Sequence, residues 1–166
     1  MDIHEYQAKE ILASFGVAIP RGGLAYSPDN AEYRAREVGG DKWVVKAQIH
    51  SGARGKAGGI IICDSIEKVS EAADQLLGKT LVTNQTGPAG KIVQKIYIEE
   101  ETAIKKELYL GLVFDRSSEC VTVVASTAGG MSVEEISKEN QKLLYELKLM
   151  LLLECKAFRQ EKLHLV

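Results

Sequence analysis

The sequence predicts an α+β fold, in which helices are combined with antiparallel strands. Helical and strand patterns do not alternate strictly along the chain, which argues against a doubly wound parallel sheet. Residues 106–115 and 120–127 both have strand patterns and are separated only by a short polar turn, as in an antiparallel hairpin. With 166 residues, of which 45% are hydrophobic, the chain can form one good-sized domain or two small lobes.

Helix boundaries are predicted from capping residues and from the helical spacing of apolar side chains. Ser27 precedes Pro28, and because proline is favoured at the first helical position, a helix is expected to begin there. Asp2 and Asp64 are the expected N-caps of two further helices, since a glutamate follows each of them three residues later. The predicted helices cover residues 2–15, 28–38 and 64–77, and a fourth begins at Ser132.

Strands are predicted from short runs of apolar residues bounded by turn residues. They cover residues 43–50, 60–63, 93–99, 106–115 and 120–127. In the first strand, apolar residues alternate with Lys46, Gln48 and His50, which places these three side chains on one face. This strand leads directly into a glycine-rich segment.

The last part of the chain differs in composition from the rest. All 15 glycines and all 3 prolines precede residue 131, whereas residues 141–166 are rich in leucine. The spacing of the apolar residues in this segment favours an amphipathic helix. We therefore treat residues 141–166 as an atypical, helical, Leu-rich tail.

The composition argues against several classes of partner. A net charge of −2 lacks the basic face that nucleic acid or an anionic membrane would require. Cys63, Cys120 and Cys155 are far apart and lack metal-ligand spacing, which indicates free thiols in a reducing compartment. A secretory signal is not recognised, nor is an apolar run of about 20 residues that could span a bilayer. We expect a soluble protein of the bacterial cytoplasm.

The segment SGARGKAGG, residues 51–59, is the strongest candidate for binding chemistry. Its four glycines allow backbone amides to approach an anion closely, and Arg54 and Lys56 add positive charge. Only two residues separate Gly52 from the Gly55-Lys56 pair, whereas a Walker A loop has four. A dinucleotide fingerprint is also excluded, because no Gly-x-Gly occurs there. By composition alone, a phosphate-binding loop and an ordinary exposed hairpin loop remain equally compatible with the segment.

Two other features allow a functional and a plain structural interpretation. Lys46 directly precedes the loop and could reach phosphates beneath it, although an isolated lysine on a strand is more often simply solvated. Residues 99–101 are three consecutive glutamates, which form either an exposed turn or a hinge beside a ligand. The three histidines lack ligand spacing, so no metal site and no catalytic residue is predicted in this chain.

Taken together, these segments resemble the β subunit of succinyl-CoA synthetase (succinate–CoA ligase), an ATP-grasp protein. The motifs that carry the resemblance are MDIHEYQAKEIL, WVVKAQIHSGARGKAGG, LGKTLVTNQTGP, KELYLGLVFDRSSE and VVASTAGGM. The resemblance covers roughly residues 1–140. The resemblance implies a two-lobed, ATP-grasp-like fold with mixed or antiparallel sheets and a ligase that joins succinate to coenzyme A at the expense of ATP or GTP. It also implies a phosphohistidine on a partner α subunit.

The resemblance also implies roles for individual residues. Lys46 matches a phosphate-contacting position of the family, and the backbone at Ala53, Arg54 and Gly55 matches the loop that covers the phosphates. Glu99 and Thr102 match hinge positions beside the base. At the end of the same region, Glu107 matches the ribose-binding position.

The chain departs from the family pattern at one position of the loop. Ala53 stands where the family usually has glycine. If the backbone at that position requires a positive φ, alanine costs about 1 kcal/mol relative to glycine.

The resemblance further predicts how the chain is divided. Residues 1–20 and 103–140 are assigned to the larger lobe, and residues 21–102 to a small nucleotide-covering lobe. Family members continue for more than twice this span, and the continuation supplies the Mg²⁺ ligands and the contact with the α subunit. We therefore expect an incomplete second lobe and an inactive fragment, with a frameshift after residue 140 as one hypothesis. The alternative function is a non-catalytic remnant that binds nucleotide weakly or serves only as an interaction module.

Overall fold

The computed structural model describes residues 3–117, 119–127, 129 and 144–149, and confirms the predicted α+β fold. The chain divides into two compact units, Met1–Ala103 and Ile104–Val166. The helices of the first unit are α1 (Glu5–Ser14), α2 (Pro28–Val38) and α3 (Ile66–Leu76). Its strands are β1 (Gly22–Ala25), β2 (Trp43–Ala47), β3 (Ile60–Cys63), β4 (Thr80–Leu81), β5 (Lys91–Ile92) and β6 (Ile96–Glu100). The described strands of the second unit are β7 (Tyr109–Asp115), β8 (Cys120–Ser126) and β9 (Leu144–Leu149).

The first unit is built on a four-stranded antiparallel sheet with the strand order β1-β6-β2-β3. Its core lies between one face of this sheet and the helices α2 and α3. Val45, Ile96 and Ile98 point into the core from the sheet and are fully buried. Because side chains alternate along a strand, the residues between them belong to the opposite face. Lys46 and Tyr97 are partners in the β2–β6 register and share that second face.

Helix α1 contacts the second face of the sheet through charged side chains. Lys46 is in contact with Glu5, and Glu99 with Lys9, so that two strands and one helix meet there. Within the structure α1 is accordingly grouped with the first unit. The assignment of residues 1–20 to the larger lobe, together with residues 103–140, stays a prediction.

The helices follow the sequence closely, with two of the expected caps displaced. Ser27 caps α2 as predicted, since its hydroxyl accepts from the Asn30 amide at 3.2 Å. The cap of α3 is Ser65 and not Asp64, because Ser65 has the extended backbone and accepts from the Lys68 amide at 3.2 Å. Likewise α1 begins after His4, and not after Asp2.

The second unit contains a three-stranded antiparallel sheet with the order β7-β8-β9. The β7–β8 hairpin was predicted, and Glu119 in its turn has φ 51°. The helix prediction for the Leu-rich tail is wrong for Leu144–Leu149, which pairs with β8. A neighbouring strand with unpaired backbone groups offers hydrogen bonds that override the helical spacing of leucines. The rest of the predicted tail and the helix expected at Ser132 lie outside the described residues.

In the described parts of the chain no helix is both long enough and apolar enough to cross a bilayer.

Candidate functional site

Lys46 lies in a cluster of charged side chains on the second face of the first unit's sheet. The cluster consists of Glu5, Lys9, Lys46, Arg54 and Glu99, and we refer to it as the charged cluster. The Lys46 ammonium donates to Glu99 Oε1 at 2.7 Å and to Glu5 Oε1 at 3.2 Å. Its side chain is only 17% exposed. Lys46 is therefore held by two carboxylates, and the interpretation of it as a freely solvated strand residue is wrong.

Glu5, on the first turn of α1, is the centre of the charged cluster. One of its oxygens accepts from Lys46 at 3.2 Å, and the other accepts from Arg54 Nη2 at 2.7 Å. Lys9, one helical turn further along α1, lies 3.2 Å from the first oxygen. Burial acts to raise the pKa of Glu5, but Lys46, Arg54 and Lys9 outweigh it and lower the pKa to about 2. The carboxylate is therefore ionised at any physiological pH.

Glu99 is the second carboxylate of the cluster and comes from the central strand β6. The residue is 5% exposed, and its side chain contacts the ammonium groups of both Lys46 and Lys9. A buried carboxylate requires such partners, because an unpaired charge in the interior is very unfavourable. The sequence suggested Glu99 as a hinge residue beside a base, and the structure shows that its carboxylate contacts Lys46 directly.

Lys9 was not singled out from the sequence, yet it completes the cluster. Burial lowers its pKa, and the neighbouring charge of Lys46 lowers it further, while Glu5 acts in the opposite direction. A signal was present, since Glu5 and Lys9 are spaced i,i+4 on a predicted helix. Such pairs are common on helix surfaces, so the spacing alone did not indicate a site.

Arg54 anchors the glycine-rich loop to both the sheet and the cluster. Its guanidinium donates from Nη1 to the Ala47 carbonyl at 2.6 Å and from Nη2 to Glu5 at 2.7 Å. The Arg54 carbonyl in turn accepts from the Gly59 amide at 2.8 Å. A Cβ atom on Gly59 would lie 2.7 Å from Leu81 Cδ1 and 3.1 Å from the Arg54 carbonyl oxygen, so a larger residue there would require Leu81 or the loop to shift.

Ala53, the departure from the family pattern, has φ 57°. This is the left-handed region, in which glycine is favoured over any residue with a Cβ atom. Position 53 therefore has the positive φ on which the predicted cost of alanine depends, and the loop has backbone strain at its tip. Ala53 and Gly55 are both exposed, whereas Arg54 between them is half-buried.

The start of the loop is fixed by a neighbouring polar turn. The Ser51 hydroxyl and the Thr83 hydroxyl are 2.5 Å apart, and the Gly52 amide donates to Gln85 Oε1 at 2.7 Å. An open cavity of about 570 Å³ lies beside the loop, within the size range of ligand pockets. Its lining includes Glu5, His50, Ser51, Gly52, Arg54 and Gln85.

The two remaining candidates lie outside the charged cluster. Thr102 follows β6 and is exposed. Glu107 is also exposed and belongs to the second unit. Of the seven residues suggested from the sequence, the structure thus brings together Lys46, Arg54 and Glu99, with Ala53 and Gly55 beside them in the loop.

The charged cluster does not have the composition of a metal centre. Among residues 3–117, 119–127, 129 and 144–149, no group of three or more His, Cys, Asp or Glu side chains is placed to hold a metal ion. The cluster instead combines three cations with two carboxylates. Such a donor set fits an anionic ligand, and in particular a phosphate, better than a cation.

A glycine-rich loop beside a strand lysine, on an antiparallel sheet of an α+β unit, is an arrangement that can bind a phosphate group. The family comparison gives the particular class. Residues 2–164 match the model of the ATP-grasp domain, and the chain belongs to the ATP-grasp family. The ATP-grasp fold expected from the sequence motifs is thereby confirmed, and membership of this family implies nucleotide use.

Similar proteins are considerably longer than this chain. It is 61% identical over 145 residues to a probable malate–CoA ligase subunit beta of Mesorhizobium japonicum. It is also 55% identical over 139 residues to the ADP-forming succinate–CoA ligase subunit beta of Nautilia profundicola. The two matches cover 87% and 84% of the chain, but only 37% and 36% of the relatives. The chain thus spans little more than a third of their length.

Solved structures show a similar fold. The ATP citrate lyase of Methanothrix soehngenii matches with a TM-score of 0.65 at 20% identity, over 90% of this chain and 35% of that one. The dinucleotide-forming acetyl-coenzyme A synthetase 1 of Ca. Korarchaeum cryptofilum matches with a TM-score of 0.57 at 25% identity, over 76% and 53%.

Proposed function

We propose that this chain provides the nucleotide-binding region of a succinate–CoA ligase β subunit. The reaction joins succinate and coenzyme A, with ATP converted to ADP and phosphate, as in the citric acid cycle. The proposal is supported by several relatives named as the β subunit of the ADP-forming enzyme, at 53–56% identity. We further propose that the protein is located in the bacterial cytoplasm.

One observation carries the nucleotide-binding part of the proposal. Lys46 and Arg54 approach the same carboxylate, each through a different oxygen of Glu5. Their charges therefore converge on a position that already holds an anion, beside an open cavity. An ammonium point charge and a guanidinium fork are a favourable pair for holding phosphate oxygens.

Each residue then has a defined task in binding. Lys46 and Arg54 hold phosphate oxygens, and the loop at Ala53 and Gly55 covers them with backbone amides. Glu99 orients Lys46 from beneath, at 2.7 Å. When bound with Mg²⁺, the nucleotide supplies the phosphoryl group of the reaction, and the residues of this chain bind and orient it.

Roles for the base and the ribose complete the nucleotide proposal. Thr102 and Glu99 are proposed to lie beside the base, and Glu107 to bind the ribose. The nucleotide is proposed to be ATP or GTP. A partner α subunit carrying a phosphohistidine is proposed as the acceptor of the phosphoryl group, in keeping with relatives named as β subunits.

Calorimetric titration with MgATP tests the binding proposal. Lys46→Met is expected to weaken binding at least ten-fold, because it removes a charged hydrogen bond to phosphate. The control is Lys79→Met, which makes the same change at an exposed residue that follows α3 and is not part of the charged cluster. Equal affinities for the two variants, or no binding of millimolar MgATP by the unmodified chain, would overturn the proposal.

A second experiment separates a ligase subunit from a simple nucleotide-binding protein. The chain is mixed with a purified α subunit and γ-labelled ATP, and phosphohistidine is measured on the partner. We expect nucleotide binding without labelling, as for the inactive fragment predicted from the sequence, and this result supports a non-catalytic binding protein. Labelling would show that the chain by itself acts as a ligase subunit.

Malate is a second candidate for the acid substrate. The 61% identical relative is named as a probable malate–CoA ligase subunit, and its identity is higher than that of the succinate–CoA ligases at 53–56%. Comparing kcat/KM for succinate and malate in an assembled enzyme distinguishes the two acids.

A further inference from the structure

Glu5 occupies the position that the proposed function assigns to a phosphate group. Its carboxylate accepts from Arg54 at 2.7 Å and from Lys46 at 3.2 Å, the two cations expected to hold the nucleotide. It also lines the open cavity beside the loop, so a ligand can approach it from solvent. An incoming phosphate and the Glu5 carboxylate would compete for the same hydrogen-bond donors.

We propose that Glu5 is a tethered competitor of phosphate, which occupies the site until a polyphosphate ligand displaces it. This inference rests on the proposed nucleotide site and adds a residue that sets its affinity. Displacement leaves Lys46 and Arg54 bonded to phosphate oxygens and moves the carboxylate towards solvent. The exchange replaces one anion by another, so the two cations are never left without a counter-charge.

Displacement of Glu5 requires that α1 be only weakly attached to the rest of the unit, and the contacts of α1 meet this requirement. None of the residues Glu5–Ser14 is fully buried, so the helix is not part of the apolar core. Near its start, α1 is held by polar and ring contacts. The Tyr6 amide donates to Gln48 Oε1 at 3.3 Å, and the His4 and His50 rings stack with centroids 3.9 Å apart. Segments with few buried apolar contacts open at low cost.

Lys9 allows Lys46 to leave the second carboxylate of the cluster, Glu99, and bind a phosphate group. Glu99 accepts from both Lys9 and Lys46, and it is almost completely buried. If Lys46 turns towards a phosphate, Lys9 still neutralises Glu99. A buried carboxylate without any cation would oppose the change strongly. The second lysine therefore frees the first for ligand binding.

The test compares the binding of inorganic tripolyphosphate and of MgATP by calorimetry at constant ionic strength. Glu5→Gln keeps the size of the side chain and one acceptor oxygen but removes the competing charge. We expect it to tighten tripolyphosphate binding about ten-fold relative to the unmodified chain. Glu10→Gln makes the same charge change at an exposed position of the same helix and is expected to change affinity less than two-fold.

A second variant covers the case in which Glu5→Gln fails to fold. Glu5→Asp keeps the charge but shortens the side chain by one methylene, so that the carboxylate no longer reaches both cations. It is expected to tighten binding by a smaller factor than Glu5→Gln. Melting curves establish that each variant tested is folded.

The outcomes separate this inference from the proposed function. If the unmodified chain binds MgATP in a Lys46-dependent manner, and Glu5→Gln binds equally or more weakly, the competition is disproved and the nucleotide site stands. If Glu5→Gln and Glu10→Gln tighten binding equally, the effect is one of net charge and the competition is again disproved. If neither the unmodified chain nor Glu5→Gln binds tripolyphosphate or MgATP, both proposals fail together.

Discussion

The two faces of the sheet in the first unit are covered in opposite ways. On one face, α2 and α3 pack against fully buried apolar side chains such as Val45 and Ile98. On the other face, α1 meets the sheet through the charged cluster and has no fully buried residue between positions 5 and 14. A buried apolar side chain has no other partner that would compensate for its exposure, whereas the carboxylate of an ion pair can be replaced by another anion. The same sheet therefore has one face that fixes the fold and one that can respond to a ligand.

The largest expected effect on stability comes from breaking the apolar face. Ile98 is 0% exposed, and Ile98→Ala is expected to lower the free energy of unfolding by about 3 kcal/mol, because a cavity remains in a closely packed core. Urea denaturation followed by the fluorescence of Trp43, the single tryptophan, reports on this unit directly. Trp43 is buried, and its indole donates to the Ala35 carbonyl at 3.0 Å.

The matched control for the apolar face is Ile62→Ala on the edge strand β3. Ile62 is 63% exposed, so little apolar area is lost and the unfolding free energy is expected to change by less than about 1 kcal/mol. Equal losses in the two variants would contradict the view that this face fixes the fold.

The charged face is expected to show a smaller effect that depends on pH. The pKa of Glu5 is lowered from its ordinary value of 4.5 to about 2, so the unfolded state binds more protons than the native state between those values. The stabilisation is therefore complete above about pH 5 and is lost as the pH falls towards 2. A shift of this size corresponds to roughly 3 kcal/mol, of which Gln retains only the weaker, uncharged hydrogen bonds of its single side-chain oxygen.

The pH dependence is measured as the difference in unfolding free energy between the unmodified chain and Glu5→Gln. The difference is expected to be about 2 kcal/mol at pH 7 and to approach zero near pH 2. Glu10→Gln serves as the control, since Glu10 is exposed on the same helix. A difference between the unmodified chain and Glu5→Gln that is constant from pH 7 to pH 3 would show that the Glu5 carboxylate does not bind the cations as described.

The faces also differ in how far they could be predicted from the sequence. The apolar face could be predicted from the alternation of side chains along the strands and from the N-cap residues of the helices, which bond to amides within three residues in the sequence. Both are local signals. The charged face depends on contacts between distant residues. Glu5 lies 41 positions from Lys46 and 49 from Arg54, and no local pattern encodes how α1 meets the sheet. The sequence therefore indicated Lys46 and Arg54 but not the carboxylate between them.

The Leu-rich tail also shows that local sequence patterns do not predict contacts between distant segments. The spacing of its leucines is a local signal for a helix, yet Leu144–Leu149 forms a strand. Its hydrogen bonds come from β8, which lies about twenty residues earlier in the chain. Pairing between distant segments is a tertiary effect, and it outweighs a helical preference of a few tenths of a kcal/mol per residue.

The smallest expected effect on the free energy of unfolding comes from Ala53, at the tip of the glycine-rich loop. Ala53 has φ 57°, a conformation that glycine adopts without penalty. Ala53→Gly is expected to raise the free energy of unfolding by about 0.5–1 kcal/mol, since relief of the left-handed strain exceeds the extra entropy of glycine in the unfolded chain. Ala57→Gly in the same loop is the control, because Ala57 is not among the residues with positive φ and glycine brings only the entropy cost. Urea denaturation of both variants decides the matter: destabilisation by Ala53→Gly would show that the loop tip is not strained, and that its backbone is already suited to a residue with a Cβ atom.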